Sequence, residues 1–511
     1  MFVSHPWINP NTIEDRDYQK NIVKTAVSGN TLCVIPTGLG KTSIAALVAA
    51  DCLQKDMNKK ILFLAPTKPL VNQHKKTFEK FMKIGEDELK AITGEDKPEL
   101  RANIYKKADI VFATPQTIRN DLKANILSLK DFSLVIFDEA HRAIGEYAYP
   151  YIAKVYKYHC KNPLILALTA SPGGHLYKIN EVRDKLFIKN VEIRGRDDPD
   201  VKPYVQKVEN DFVSVELPIP LKSIHQYMEK ARNQRMTKLA SWKVIHSNIL
   251  PKTQILRLQQ ELARRKSGMA FAAMSQLAEL IKIDHAQMLL ETQCLHSLKA
   301  YFLKMEEDAA AGKTKAVARL MNDENMKNAI RLTDELISQG KEHPKMSKLR
   351  EIVESELKAN KMTQFIIFAQ FRDTIAKIME ELKNINHSSP IEFIGQAKKK
   401  GKGLSQKEQT QILNEFRMGF YNILIASQVG EEGLDVAETD VVIFYEPVPS
   451  AVRRVQRAGR TARTQKGKVI MLITKGTRDE AYHWSGHHKE RKMNKILYDM
   501  QRQGSLKGFG E

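Results

Sequence analysis

The sequence predicts an α/β chain of two lobes, each built on a parallel sheet, with an all-helical insert domain between them. From about residue 30 to 195, short apolar runs at 32–35, 61–65, 110–114, 134–138 and 164–169 alternate with amphipathic stretches. The same rhythm returns after residue 360, at 365–369, 391–394, 423–426, 441–445 and 469–473. Buried strands alternating with helical patterns mark a parallel sheet covered on both faces. Between the two blocks, residues 221–345 contain only two prolines, Pro251 and Pro344, and apolar residues recur at helical spacing, as in Leu277, Leu280, Ile281 and Leu289.

At 511 residues the chain is too long for one core, because single cores stop growing at about 250–300 residues. The expected boundaries are 1–205 for the first lobe, 206–345 for the insert and 346–511 for the second lobe. Residues 194–203, with Gly195, Asp197, Asp198, Pro199 and Pro203, read as a flexible exit from the first lobe, and 340–344 as the entrance to the second.

Lys and Arg number 81 against 60 Asp and Glu, a formal net charge of +21. A polyanionic partner explains such an excess. A surface laced with ion pairs would explain a charged fraction of 28% but not its sign. Residues 221–345 alone hold 21 Lys and Arg against 13 Asp and Glu and have no recognisable catalytic motif. Cys33, Cys52, Cys160 and Cys294 stand far apart without C-x-x-C spacing, which argues against a zinc site or a disulfide frame and reads them as buried thiols. No run of 18 apolar residues occurs, and residues 1–10 lack a basic stretch followed by an apolar core, so no membrane partner is expected.

The run 32–35 leads straight into Pro36-Thr37-Gly38-Leu39-Gly40-Lys41-Thr42, after which residues 43–53 read as a helix. In that context backbone N–H groups at a helix start surround phosphates, Lys41 reaches the β- and γ-oxygens of ATP, and Thr42 holds Mg²⁺. The generic pattern opens on a glycine, where this chain has Ile35. Further on, apolar Leu134-Val135-Ile136-Phe137 delivers Asp138-Glu139-Ala140-His141 at the end of another strand. Asp138 there can complete the Mg²⁺ shell through water, and Glu139 can orient or deprotonate the attacking water. Alone, an acidic pair after a strand is more often a helix cap. In one lobe with Lys41 and Thr42, it reads as the other half of an ATP site.

These two sites, with the runs that follow, resemble the superfamily 2 helicases over nearly the whole chain, which implies two RecA-like lobes, ATP and Mg²⁺. Arg16 and Gln19, in Arg16-Asp17-Tyr18-Gln19, stand where that superfamily reads adenine. Ala65-Pro66-Thr67-Lys68-Pro69-Leu70 and Thr114-Pro115-Gln116-Thr117 resemble its loops that grip the nucleic-acid backbone, implying contacts from Thr67, Lys68, Thr114 and Gln116. Thr169-Ala170-Ser171 resembles the motif linking hydrolysis to strand movement, with His141, Thr169, Ser171 and Gln456 as the implied coupling residues. In the second lobe, Phe368-Ala369-Gln370-Phe371-Arg372 resembles the fourth motif, implying nucleic-acid contact from Arg372. Gly430-Glu431-Glu432-Gly433-Leu434-Asp435 resembles the fifth, implying Ser427 on nucleic acid and Gly433 and Asp435 on the nucleotide. Gln456-Arg457-Ala458-Gly459-Arg460-Thr461-Ala462-Arg463 is similar to the Q-x-x-G-R-x-x-R arginine-finger motif, with Arg460 and Arg463 as fingers. An Arg supplied by the opposite lobe stabilises charge that develops on the γ-phosphate only in the transition state.

Closer still, the basic insert, residues 138–142, Leu168-Thr169-Ala170-Ser171-Pro172-Gly173, the stretch 430–435 and Tyr445-Glu446-Pro447-Val448-Pro449-Ser450 resemble the helicase half of the archaeal Hef family, DEAH-box-type enzymes akin to the Fanconi anaemia M-type translocases. That resemblance implies an ATP-dependent DNA helicase or translocase acting on forked or branched DNA in replication-fork repair and recombination, a thumb-like insert, and a cytoplasmic, nucleoid-associated location. Within the insert the basic triplet Arg264-Arg265-Lys266, in a helical stretch, is the candidate for phosphate contact. Gln428 and Ala462 depart from the fifth and sixth motifs. A nuclease domain can follow in that family, but E-R-K-x-x-x-D beginning at Glu490-Arg491-Lys492 would need Asp where Ile496 stands. Residues 490–495 therefore read as the solvated face of a C-terminal helix, and a nuclease domain or partner is expected beyond the C-terminus. Two other readings stay open: a double-stranded-RNA-activated ATPase or RNA helicase, and a non-catalytic nucleic-acid-binding scaffold. The intact set Lys41, Thr42, Asp138, Glu139 and Arg463 argues against the scaffold.

Overall fold

The computed structural model describes residues 1–56, 59–172, 176–204, 208–246, 250–265, 267–395, 403–427, 439–447 and 467–507. Among these, the first sheet has seven strands, β1 (Thr31–Val34), β2 (Lys60–Leu64), β3 (Leu89–Ile92), β4 (Ile110–Ala113), β5 (Phe132–Phe137), β6 (Ile165–Thr169) and β7 (Asn190–Ile193). They lie in the order β3-β4-β2-β5-β6-β1-β7, every pairing parallel. Alternate residues feed opposite faces, as pleating requires: Leu32 and Val34 enter one core, Cys33 and Ile35 the other. Three of the four cysteines are buried, and Cys160 is half-buried, its thiol donating to the Phe132 carbonyl at 3.3 Å.

The second sheet has six described strands, β8 (Val208–Val215), β9 (Phe365–Phe368), β10 (Pro390–Phe393), β11 (Ile423–Ala426), β12 (Val441–Phe444) and β13 (Gly467–Thr474), in the order β10-β11-β9-β12-β13-β8. Its pairings are also parallel. Strand β8 corrects the expected insert boundary at 206: residues 208–215 pair along their whole length with β13 and belong to the second sheet. Val-Glu-Asn-Asp-Phe-Val-Ser-Val lacks a continuous apolar run because an edge strand is hydrogen-bonded on one side and buries little. The insert proper consists of helices Ile219–Ser241, Lys252–Ala263, Gly268–Thr292, Leu295–Ala310, Lys315–Met321 and Glu324–Ser338. Buried Glu279 ties three of them together, accepting from Arg235 Nε at 2.9 Å and Arg319 Nε at 2.8 Å.

Two further segments bear on expectations. The exit at 194–203 is a turn with its own hydrogen bonds, in which Arg194 Nε donates to Asp200 at 2.8 Å and the Gly195 N–H donates to Asp198 at 2.7 Å. The C-terminal helix Arg478–Lys507 is more than a solvated face: Arg491 and Lys492 are exposed, but Met493 and Leu497 are buried in the core of the first lobe. No helix among the described residues is long and apolar enough to cross a membrane.

Candidate ATP site and nucleic-acid interface

Open parallel sheets bind ligands outside the carboxyl ends of their strands, and in the first lobe three neighbouring strands end in the residues of interest. β1 runs into residues 36–42, β5 into Asp138, and β6, which lies between them, ends at Thr169. The loop after β1 turns at Gly38 (φ 88°) and Gly40 (φ 79°), in the left-handed region where a Cβ is disfavoured. A side chain at Gly40 would also place its Cβ 2.4 Å from Gln19 Nε2. Gly40 caps helix Lys41–Lys55, whose residues 44–50 are all buried, so the helix start is fixed and its free N–H groups face the loop.

The loop has the character of a phosphate cradle. Lys41 Nζ is buried and finds no hydrogen-bond partner among the described residues, and the same holds for Thr37 Oγ1 and Gln19 Oε1. An orphaned buried ammonium is costly, which fits a site built for an anion. Pro36 and Leu39 shape the loop: the Leu39 carbonyl accepts from Tyr18 Oη at 2.8 Å and from Gln19 Nε2 at 3.4 Å, so Gln19, expected at adenine, is seated against the phosphate loop. Arg16 donates to Glu14 at 2.8 Å and lies over the Tyr204 ring at 5.7 Å.

Across from the loop, Asp138 and Glu139 leave β5 through a sharp turn. The Asp138 N–H donates to the Leu64 carbonyl at 2.9 Å, its own carbonyl accepts from Tyr149 Oη at 2.6 Å, and Glu139 adopts φ 49°, ψ 49°. Left-handed backbone in a residue other than glycine is held in place by its surroundings, and it recurs where geometry matters for function. Burial opposes ionisation of Glu139. The hydrogen bond from His141 and the charges of Lys41, His141 and Arg142 outweigh it and hold the carboxyl down at about 2. His141 Nδ1 lies 3.3 Å from Glu139 Oε2 and 3.2 Å from Thr169 Oγ1, and Thr169 Oγ1 also accepts from the Ser171 N–H at 3.1 Å.

The sequence reading missed His74. Its Nε2 is 2.9 Å from Asp138 Oδ2 and its Nδ1 is 3.4 Å from Thr42 Oγ1, so one buried ring spans both candidate Mg²⁺-holding residues. His74 falls with Val71 and Phe78 on the buried stripe of helix Lys68–Phe81, and a histidine on an apolar stripe was the available signal. Thr42 and Asp138 offer oxygen donors, which suits a small hard cation that keeps most of its waters. Partners that orient metal ligands are typically worth 10- to 100-fold in metal affinity. His74→Ala is therefore expected to raise by roughly 10-fold the Mg²⁺ concentration needed for nucleotide binding. A Mg²⁺ titration of nucleotide affinity checks this, and an unchanged midpoint would leave His74 a packing residue.

The candidate nucleic-acid residues of the first lobe lie at the same carboxyl edge. Thr67 stands at the N-cap position of helix Lys68–Phe81 without a side-chain capping bond, Lys68 pairs with Glu95, Thr114 Oγ1 meets Thr117 Oγ1 at 2.8 Å, and Gln116 is exposed. In the second lobe, Arg372 opens a helix just after β9 and Ser427 follows β11, its N–H donating to Phe393 at 3.0 Å. Arg264 and Arg265 are exposed, though not along a helix face: they follow helix Lys252–Ala263 in the turn before Gly268–Thr292. Lys266, Gly433, Asp435, Gln456, Arg460 and Arg463 lie outside the described residues.

Comparison with known proteins matches this layout. The DEAD/DEAH box helicase family matches residues 16–179, the helicase conserved C-terminal domain residues 344–465, and a family described as "ATP-dependent RNA helicase, helical bundle" residues 220–340. The crystal structure of the Hef helicase domain of Pyrococcus furiosus is 43% identical, with a TM-score of 0.74 over 94% of this chain and 99% of that one. The chain belongs to the superfamily 2 helicases, in the group of archaeal Hef. Among curated relatives, a Methanocaldococcus jannaschii protein named for ATP-dependent RNA helicase activity is 41% identical over 98% of this chain, and the Schizosaccharomyces pombe ATP-dependent DNA helicase Fml1 is 34% identical over 92%. The chain spans 63% and 58% of those two helicases.

Proposed function

We propose that this helicase is an ATP-driven translocase on forked or branched DNA. The observation that supports this most is the convergence of an orphaned Lys41, Thr42, Asp138 and Glu139 at the carboxyl ends of β1 and β5, on either side of β6, within a sheet-and-insert arrangement shared with the Hef helicase domain. Lys41 and the N–H groups of the loop hold the phosphates, and Gln19 and Arg16 hold the base. Thr42 directly and Asp138 through water would hold Mg²⁺, which when bound neutralises phosphate charge. Glu139 orients the attacking water and takes its proton. Arg460 and Arg463 serve as the arginine fingers, so hydrolysis requires lobe closure, and strand grip alternates between Thr67, Lys68, Thr114 and Gln116 on one lobe and Arg372 and Ser427 on the other.

The deciding experiment is ATPase rate across single-stranded, duplex, forked and four-way DNA and matching RNAs. Strongest stimulation by forked or four-way DNA is expected. The name of the Methanocaldococcus relative favours a second reading, an RNA helicase, and greater stimulation by double-stranded RNA would establish it in place of the first. A nuclease domain or partner joined to the helicase is part of the same proposal.

Arg463→Ala is expected to leave ATP affinity nearly intact and to cut turnover by roughly 10³-fold or more, the usual worth of an arginine finger. Weakened affinity with normal turnover would assign Arg463 to ground-state binding instead. For the insert, changing Arg264, Arg265 and Lys266 to Ala is expected to weaken DNA binding and lower the log-log salt slope by about 0.7–0.9 per lost phosphate contact. Fork preference falls with it, while hydrolysis without DNA stays unchanged. A salt slope equal to the parent's would make the triplet a solvated turn.

A further inference from the structure

Helix Arg478–Lys507 touches all three parts of the molecule. At its start, the Arg478 N–H donates to Glu291 at 3.1 Å, and its guanidinium donates to the Asp284 carbonyl at 2.7 Å and to the Asp284 carboxylate at 2.8 Å, both residues of the long insert helix. The next residue, Asp479, pairs with Lys345 of helix Pro344–Ala359, and both side chains are fully buried. Asp479 also accepts from the Thr474 N–H at the end of β13 at 3.0 Å. This end of the helix is therefore fastened to the insert and the second lobe.

Farther along, the same helix belongs to the first lobe. Met493 and Leu497 are 2% and 0% exposed within its core, Tyr498 Oη lies 2.8 Å from both Asp198 carboxylate oxygens, and Gln501 Nε2 donates to Glu192 at 3.2 Å. Met493 also meets the candidate coupling segment. The Ser171 hydroxyl, fully buried, donates to Met493 Sδ at 2.8 Å. From Ser171 the contacts run without a gap through Thr169 and His141 to Glu139.

We propose that Met493 is a positioning residue for hydrolysis, and that the C-terminal helix uses it to set Glu139 according to where the insert and second lobe stand. A buried hydroxyl needs an acceptor, and Ser171 has Met493 sulfur as its acceptor. With that acceptor in place the Ser171 rotamer is fixed. The Ser171 N–H then holds Thr169 Oγ1, which in turn orients the His141 ring against Glu139. A shift of the helix, drawn by Asp284, Glu291 and Lys345 at its far end, changes the geometry at the base without any contact between those residues and nucleotide.

The inference rests on Glu139 acting as the base, so Glu139→Gln is measured alongside. Met493→Leu keeps the volume and apolar character of the side chain and removes the acceptor, a swap that cores tolerate. Expected are an unchanged melting temperature and ATP KM, with DNA-stimulated kcat lowered by roughly 2- to 30-fold, the range found for residues that modulate coupling without touching ligand. Ser171→Ala should lower kcat similarly, and the double variant should fall no further than either single one, because the two groups act as one link. Turnover of Met493→Leu equal to the parent's, or single losses that multiply in the double variant, would overturn the proposal. If Glu139→Gln turns over normally, the reading of the base fails, an outcome separate from the Met493 result.

Discussion

Lys41→Ala is expected to abolish measurable ATP turnover. Among the described residues, Lys41 Nζ is a buried cation without a hydrogen-bond partner, at the first position of a helix whose N–H groups face the same loop. Charge placed ahead of time where phosphate charge develops needs no reorganisation during reaction, and removing even one neutral donor from such a site costs about 3–4 kcal/mol. Losing a full positive charge costs at least that, so the expected drop is roughly 10³-fold or greater. Nucleotide affinity falls as well, because Lys41 meets ground-state phosphate and transition state alike. Steady-state phosphate release at saturating ATP measures the effect, and a rate near the parent's would remove the site from this loop.

What the sequence made legible follows from how local each feature is. The loop 36–42 is covalently continuous with β1 and helix Lys41–Lys55, so strand, glycines and Lys-Thr could be read in one pass. Asp138 and Glu139 were legible for the same reason, since four buried residues, Leu134, Val135, Ile136 and Phe137, point at them. The structure sets these two runs beside Thr169, at the ends of β1, β5 and β6, which no spacing in the sequence states.

The missed features depend on partners far along the chain. His74 meets Asp138 across 64 positions, and Ser171 meets Met493 across 322. A local pattern shows that a helix has a buried stripe but not what the stripe is buried against. Thus residues 490–495 read as the solvated face of a helix, and nothing local revealed that Met493 and Leu497 are buried in the core of the first lobe. Strand β8 was missed for the opposite reason, because Glu209, Asn210, Asp211 and Phe212 are all exposed and no apolar run announces an edge strand. The insert was legible as helix and as basic, but placing Arg264 and Arg265 in a turn required the packing of helices Lys252–Ala263 and Gly268–Thr292.

Glu139→Gln is expected to separate binding from chemistry. Glu139 stands in a left-handed turn held by the bonds of Asp138 to Leu64 and Tyr149, and an amide of the same shape keeps that turn. Lys41, Thr42 and Asp138 are untouched, so nucleotide and Mg²⁺ affinity should stay within a few-fold of the parent's. Burial opposes ionisation of Glu139, but the His141 hydrogen bond and the charges of Lys41, His141 and Arg142 keep its carboxyl ionised at neutral pH. Its first task is to orient the attacking water, and it takes the proton only as the phosphoryl group transfers. Gln can accept one hydrogen bond from that water but cannot take its proton, so hydrolysis should fall by roughly 10²- to 10⁴-fold. Single-turnover hydrolysis read beside binding of a fluorescent nucleotide distinguishes the outcomes. Tight binding with collapsed hydrolysis assigns the base to Glu139, whereas parent-like hydrolysis moves it to another residue, and lost binding would mean that the turn had failed.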